Sequence, residues 1–179
     1  RNEPGEERLL EVALSLGANL LVESDLAADK SVALELLNQV LVSGKAAEVF
    51  GRMVFSLGGP HDFLERSEQY LPKASKVVEY FASQSGYLQS VNARVLGQVI
   101  IELGGGRIHA HDVLDLSVGL DQAIRIGDQV NRGEPILRIH ASSEREIERA
   151  QNLLSKAFVI SENPIGLKPV ILETITPDL

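Results

Sequence analysis

Apolar residues follow a helical rhythm up to Tyr70 and lose it after Pro72. Over Glu6–Val22, Leu9, Val12, Ala13, Leu16 and Leu20 recur at i, i+3, i+4 and i+7, with Leu10, Leu14 and Leu21 widening the stripe. The pattern predicts one helix there. Asp25 to Asp29 reads as a break in which either aspartate can cap a second helix, whose apolar face is Ala33, Leu36, Leu37 and Val40 and which Gly44 ends. A third helix, Lys45 to Leu57, carries Ala46, Val49, Phe50, Met53 and Val54 on one side until Gly58-Gly59-Pro60 stops it. A short helical turn over Asp62 to Arg66 leads to Leu71-Pro72. The first two helices are apolar around more than half their circumference, so they are expected to pack against a partner outside this chain. A self-contained helical bundle is the alternative.

Beyond Pro72 the rhythm becomes strand-like. Lys76–Ala82 is rich in β-branched and aromatic residues, Gln84-Ser85-Gly86 has turn chemistry, and Tyr87–Val91 resumes the extended pattern, which predicts a hairpin. Asn92 caps a helix lined by Val95, Leu96, Val99, Ile100 and Leu103, and Gly104 to Gly106 terminate it. Val113–Val118, Gln122–Ile126 and Pro135–Ala141 read as short strands. Ser142 or Ser143 caps a charged helix through Lys156, and Pro169–Ile175 reads as a final strand. The fold class is α+β with a small barrel-like or sandwich-like sheet.

Composition narrows the possibilities. The 179 residues are 44% hydrophobic and 23% charged, with a net charge of −8 and no cysteine. The acidic balance disfavours nucleic acid and anionic membrane surfaces as partners. Disulfides, thiolate metal sites and thiol nucleophiles are excluded, which suits a cytoplasmic location. No apolar run approaches the ~18 residues of a membrane span. Arg1 to Glu6 reads as a surface loop entering a helix, and with no initiator methionine the chain is expected to be the C-terminal part of a longer one.

The candidate chemistry centres on Glu102-Leu-Gly-Gly-Gly-Arg-Ile-His-Ala-His-Asp. Gly104, Gly105 and Gly106 permit a sharp turn or a close approach, and Arg107 adds a planar fork of donors suited to carboxylate or phosphate. The run is not a phosphate-binding P-loop, since no Gly-Lys-Ser/Thr follows and it ends a helix rather than opening one. Two readings stay open: a flexible closure loop of Gly104, Gly105, Gly106, Arg107 and His109, or a helix cap with a solvated arginine. His109, His111 and Asp112 form a weak metal motif, with the histidines i and i+2 on a strand. His61 reads as a loop residue and His140 as a strand residue. The carboxylates Asp112/Asp115 and Glu144/Glu146/Glu148 read as solvated faces. Gly127 and Gly133 bracket a polar turn like that of biotinyl and lipoyl carriers, but no lysine lies between Lys76 and Lys156 to accept a prosthetic group.

Two stretches, Gly44-Lys-Ala-Ala-Glu-Val-Phe-Gly-Arg-Met-Val and Leu103-Gly-Gly-Gly-Arg-Ile-His-Ala-His-Asp-Val-Leu-Asp-Leu-Ser-Val-Gly, resemble segments of thymidine and pyrimidine-nucleoside phosphorylases. Asp62-Phe63, Tyr70-Leu71-Pro72, Gly86-Tyr87, Ile126-Gly-Asp-Gln-Val and Ile171-Leu-Glu-Thr-Ile match in the same order. The resemblance implies that residues 1–71 are the last helices of an α/β catalytic lobe and residues 72–179 a C-terminal α/β-hammerhead (barrel-sandwich hybrid) subdomain. It implies phosphorolysis of thymidine or a related nucleoside to the free base and a pentose 1-phosphate, with inorganic phosphate as co-substrate and no metal or organic cofactor, in a cytoplasmic homodimer. The family's phosphate-binding segment and base-holding residues have no matching positions here, so no catalytic residue is assigned and the chain alone is expected to be inactive. A nucleoside monophosphate phosphorylase and a non-enzymatic barrel-sandwich assembly or carrier module are the alternatives.

Overall fold

The computed structural model describes residues 6–175. Among these the chain forms six helices and six short strands, an α+β mix, in the order α1 (Glu7–Glu23), α2 (Lys30–Val42), α3 (Lys45–Ser56), α4 (Phe63–Tyr70), β1 (Lys76–Phe81), β2 (Gly86–Val91), α5 (Ala93–Glu102), β3 (Gly119–Asp121), β4 (Gln129–Val130), β5 (Pro135–Ala141), α6 (Glu144–Leu154) and β6 (Phe158–Ser161). No described helix is long and apolar enough to cross a membrane. The elements fall into two units. One holds the helices up to Tyr70 together with residues 168–175, and the other spans Leu71–Leu167. The stretch 168–175 therefore groups with the helices, although its sequence pattern suggests the strand-rich part.

In the helical unit, side-chain caps fix where helices begin. The Glu6 carboxylate accepts the Leu9 N–H at 2.6 Å, and Asp29, the aspartate that caps α2, accepts the Val32 N–H at 3.0 Å. Helix α4 runs to Tyr70, longer than the single turn expected, with a kink at Arg66. The buried centre is small: Ala18, Ala27 and Ala33, flanked by Leu21, Val22, Leu34 and Leu37. Gly17 lets α2 approach, since a Cβ there would sit 3.1 Å from Leu37 Cδ1. The side of α1 that packs on α2 is thus the Ala18/Leu21/Val22 side, while Leu9, Leu16 and Leu20 of the expected stripe are 58–69% exposed.

The strand-rich unit contains two three-stranded antiparallel sheets, ordered β1-β5-β3 and β4-β2-β6. Strands β1 and β2 are therefore not the predicted hairpin. After β1 the chain leaves the sheet because Ala82 exchanges backbone hydrogen bonds with the 133–134 turn, its N–H donating to Glu134 O at 2.8 Å and its carbonyl accepting from the Gly133 N–H at 2.9 Å. Gly86 (φ +149) then enters β2 so close to β6 that a Cβ would lie 2.4 Å from Ser161 O. The predicted strand over 113–118 is absent: the Asp115 carboxylate captures the Ser117 N–H at 2.9 Å, a local bond that competes with a ladder, and pairing starts only at Gly119. Gln122–Ile126 is not a strand either, since Gln122 turns the chain at φ +49 and Asp128 caps the Arg125 N–H at 2.8 Å. The carrier-like stretch between Gly127 and Gly133 contains β4, which pairs with β2 in one sheet while β3 and β5 on either side of it pair with each other in the other, so it is not a simple hairpin tip. Pro169–Ile175 forms no strand, whereas Phe158–Ser161, not anticipated, pairs with β2.

Strand β5 organises the core. Tyr80 pairs with Leu137 and Phe81 with Pro135, so Ile136 is an extra, bulged residue. The bulge turns two successive side chains inward in different directions. Leu137, Ile139 and Ala141 pack under α5 and α6 with Val99, Leu103, Ile147, Ala150 and Leu154, while Ile136 joins Ala82 and Val130 in a second cluster. Tyr80 and Phe158 border both clusters, their ring centroids 6.3 Å apart. Ser143 caps α6 in a capping box with Glu146, and Arg149 Nη1 reaches Glu102 Oε2 at 3.1 Å, tying α6 to α5.

Candidate functional site

The glycine run closes α5 with a Schellman motif. Gly104, at φ +91, donates its N–H to Ile101 O, and Gly105 donates to Ile100 O, both at 2.9 Å. The other two glycines are needed for space. A Cβ on Gly106 would lie 2.6 Å from Ile101 Cγ1 and 3.2 Å from its Cα, and one on Gly105 would meet Ile100 Cγ2 at 3.1 Å and Val118 Cγ2 at 3.2 Å. The cap reading is therefore realised, and the run hugs its own helix.

Beyond the cap the chain forms a lasso. The Asp115 N–H donates to Gly104 O at 2.9 Å, so the chain leaves at Gly105 and returns at Leu114 with its two ends joined, the form of a compact surface loop. Inside it, Asp112 accepts the N–H groups of Ile108 (2.9 Å) and His109 (2.8 Å). At its base Asp115 accepts from Ser117 Oγ at 2.5 Å and from Ser142 Oγ, just before α6, at 2.6 Å. These hydrogen bonds hold the Asp115 carboxyl below the usual carboxylate range. The loop thus stands on an anchored base with a stapled tip.

The tip is open to solvent. Arg107, Ile108, His109, Ala110, His111 and Val113 are exposed, Val113 at 95%. Among the described residues no hydrogen bond or ion pair engages the Arg107 guanidinium. His109 and His111 lie in a turn rather than on a strand, with stacked rings 5.7 Å apart, and His109 Nδ1 is 3.6 Å from Asp112 Oδ1. Among the described residues no group of three or more His, Asp or Glu side chains converges as a metal site.

His140 is on β5 as expected, and it belongs to a second polar cluster. Asp121, paired with Arg138 across β3 and β5, accepts from Arg138 Nε at 2.9 Å and Nη2 at 2.6 Å. His140 Nε2 lies 3.0 Å from Asp121 Oδ1 but off the line of a well-aligned hydrogen bond. The Arg138 guanidinium, with a smaller contribution from His140, brings the Asp121 carboxyl down to about 2. His61 sits at the turn before α4. Asp115 is a structural anchor rather than the solvated carboxylate that its sequence context suggests. Its partner Ser142 lies too far along the chain for any local pattern to reveal, although Asp-x-Ser is itself a local turn signal.

Both clusters lie in the strand-rich unit, and a family model covers that region. The match runs from Tyr87 in β2 to Ser161 at the end of β6, and so includes α5, the lasso, the Asp121 cluster and α6. Residues 87–161 of this chain match the family model of the pyrimidine nucleoside phosphorylase C-terminal domain.

Proposed function

We propose that the chain is part of a thymidine or related pyrimidine-nucleoside phosphorylase, a pentosyltransferase that converts nucleoside and phosphate to free base and pentose 1-phosphate. The family match over residues 87–161 carries this reading. In such a reaction the bond from sugar carbon to base nitrogen breaks as a phosphate oxygen bonds to that carbon. The base departs with the electron pair, and catalysis comes mainly from positioning and from stabilising charge. The phosphate- and base-holding residues belong to a catalytic lobe outside this chain, and the working enzyme is a cytoplasmic homodimer using no cofactor besides its phosphate co-substrate.

Within that enzyme the lasso of residues 104–112 acts as a preformed closing element. Its tip offers Arg107, a cation with unengaged donors, on a base that costs little further ordering. Arg107→Ala in the complete polypeptide is expected to lower kcat/KM for thymidine by roughly tenfold, about 1.4 kcal/mol of transition-state stabilisation. Unchanged kcat and KM would remove the closure role. The 179-residue chain alone is expected to show no phosphorolysis. Turnover of thymidine, uridine and nucleoside monophosphates by the complete polypeptide fixes the substrate, and preference for monophosphates would replace this reading with a nucleotide phosphorylase.

A further inference from the structure

The backbone from Pro164 to Ile175 is almost unused within the chain. Among the described residues none of its N–H groups donates a hydrogen bond, and its one engaged carbonyl is that of Lys168, which accepts from Arg8 Nη1 at 3.2 Å. The end of this stretch is not composed like a solvated linker. Val170-Ile-Leu-Glu-Thr-Ile175 contains no glycine and is bracketed in sequence by Pro169 and Pro177, residues that commonly bound a strand. Leu172 and Ile175 are 81% and 87% exposed. Large apolar side chains on a backbone without ladder hydrogen bonds call for a hydrogen-bonding partner and a cover.

The pattern identifies the kind of partner. In an extended chain Val170, Leu172 and Thr174 point one way and Ile171, Glu173 and Ile175 the other, so neither face is predominantly polar. A strand on a sheet with one solvated face alternates apolar and polar, whereas a strand in a sheet covered by helices on both faces does not. The same unit also presents the exposed apolar stripe of α1, Leu9, Leu16 and Leu20, which is the kind of surface that covers such a sheet.

We infer that residues 170–175 are a strand donated to the open edge of a helix-covered β-sheet in the α/β catalytic lobe, so that the polypeptide returns to that lobe after the C-terminal domain. The inference rests on the phosphorylase reading for the identity of the lobe. Amide-resolved hydrogen exchange tests it, comparing the 179-residue chain with the complete polypeptide. At least every second amide from Val170 to Ile175 is expected to exchange about 100-fold more slowly in the complete polypeptide. Equal rates in both would overturn the strand. So would protection in the 179-residue chain alone that grows with its concentration, which would mean pairing between copies. Thymidine turnover in the same preparation separates the two readings: turnover without protection overturns the strand alone, and protection without turnover overturns the phosphorylase reading alone.

Discussion

The two units use similar amounts of apolar sequence to different ends. The strand-rich unit buries Leu88, Val99, Leu103, Ile136, Leu137, Ile139 and Leu154 almost completely, while the only fully or nearly buried hydrophobic residues described in the helical unit are Ala18, Ala27 and Ala33. Its large side chains point outward, with Leu20 at 69% exposure, Phe55 at 61% and Leu57 at 81%. Burial of apolar area stabilises by about 25 cal/mol per Å², so the first unit has a core of its own and the second gains little of that free energy within this chain. One polypeptide thus joins a unit with a large buried core to one whose large apolar side chains stay mostly exposed.

The largest effects should come from the core. In the 179-residue chain, Ile139→Ala and Leu154→Ala should each cost about 3 kcal/mol in urea unfolding, whereas Leu16→Ala and Leu20→Ala should stay within about 0.5 kcal/mol. Equal losses in the two units would erase the contrast. In the complete polypeptide the helix substitutions should become costly as well, and that change would sharpen it.

Glycines separate packing from backbone strain at the next level. Gly106→Ala should lose about 1–3 kcal/mol, because the new methyl meets the Ile101 side chain and backbone. Gly44→Ala, at φ +79 with open space around it, should lose only about 1 kcal/mol from backbone strain. Thermal unfolding of the two variants gives the ordering, and a Gly44 variant as damaging as the Gly106 variant would show that the helical unit is packed as tightly as the other.

The smallest effect is electrostatic. The Asp121 carboxyl titrates near 2 in the folded chain, below its unfolded value of about 3.9, so the unfolded state binds more protons in between and stability rises with pH there. The contribution is fully present above about pH 4 and is lost as pH falls through about 2. With Asp121 43% exposed, solvent screening holds it to about 1 kcal/mol. Asp121→Asn should remove that amount at pH 7 and flatten the acid limb of the stability curve. An unchanged limb would mean that the Arg138 pairing adds nothing to β3.

Legibility in the sequence tracks the range of the forces involved. Helices α1, α2, α3, α5 and α6 are readable because a helix satisfies its own backbone and its periodicity is local, as is the glycine cap after Leu103. Strand pairing is not. Lys76–Phe81 and Tyr87–Val91 are recognisable as extended, yet their partners lie far along the chain in β5 and β6, so the adjacent pair resembles a hairpin that does not form. Val113–Val118 has strand composition, and a single Asp115 side chain outweighs it. For the candidate loop, the glycines and Arg107 can be picked out, whereas the latch through Asp115 and Ser142 requires the fold.

The hydrogen bond from the Asp115 N–H to Gly104 O also bears on how such a domain can diversify. Because the two ends of the lasso meet at that bond, the exposed tip, residues 107–111, forms a cassette whose length and chemistry can vary while α5, α6 and the strand ladder stay in place. Doubling a loop costs only about 0.6 kcal/mol in closure entropy. An insertion at Ala110 should therefore be absorbed, whereas one inserted residue in β5 would turn Arg138 toward the core. Variation in this domain should then accumulate at the lasso tip, where a change can retune what the tip touches without endangering the scaffold beneath it.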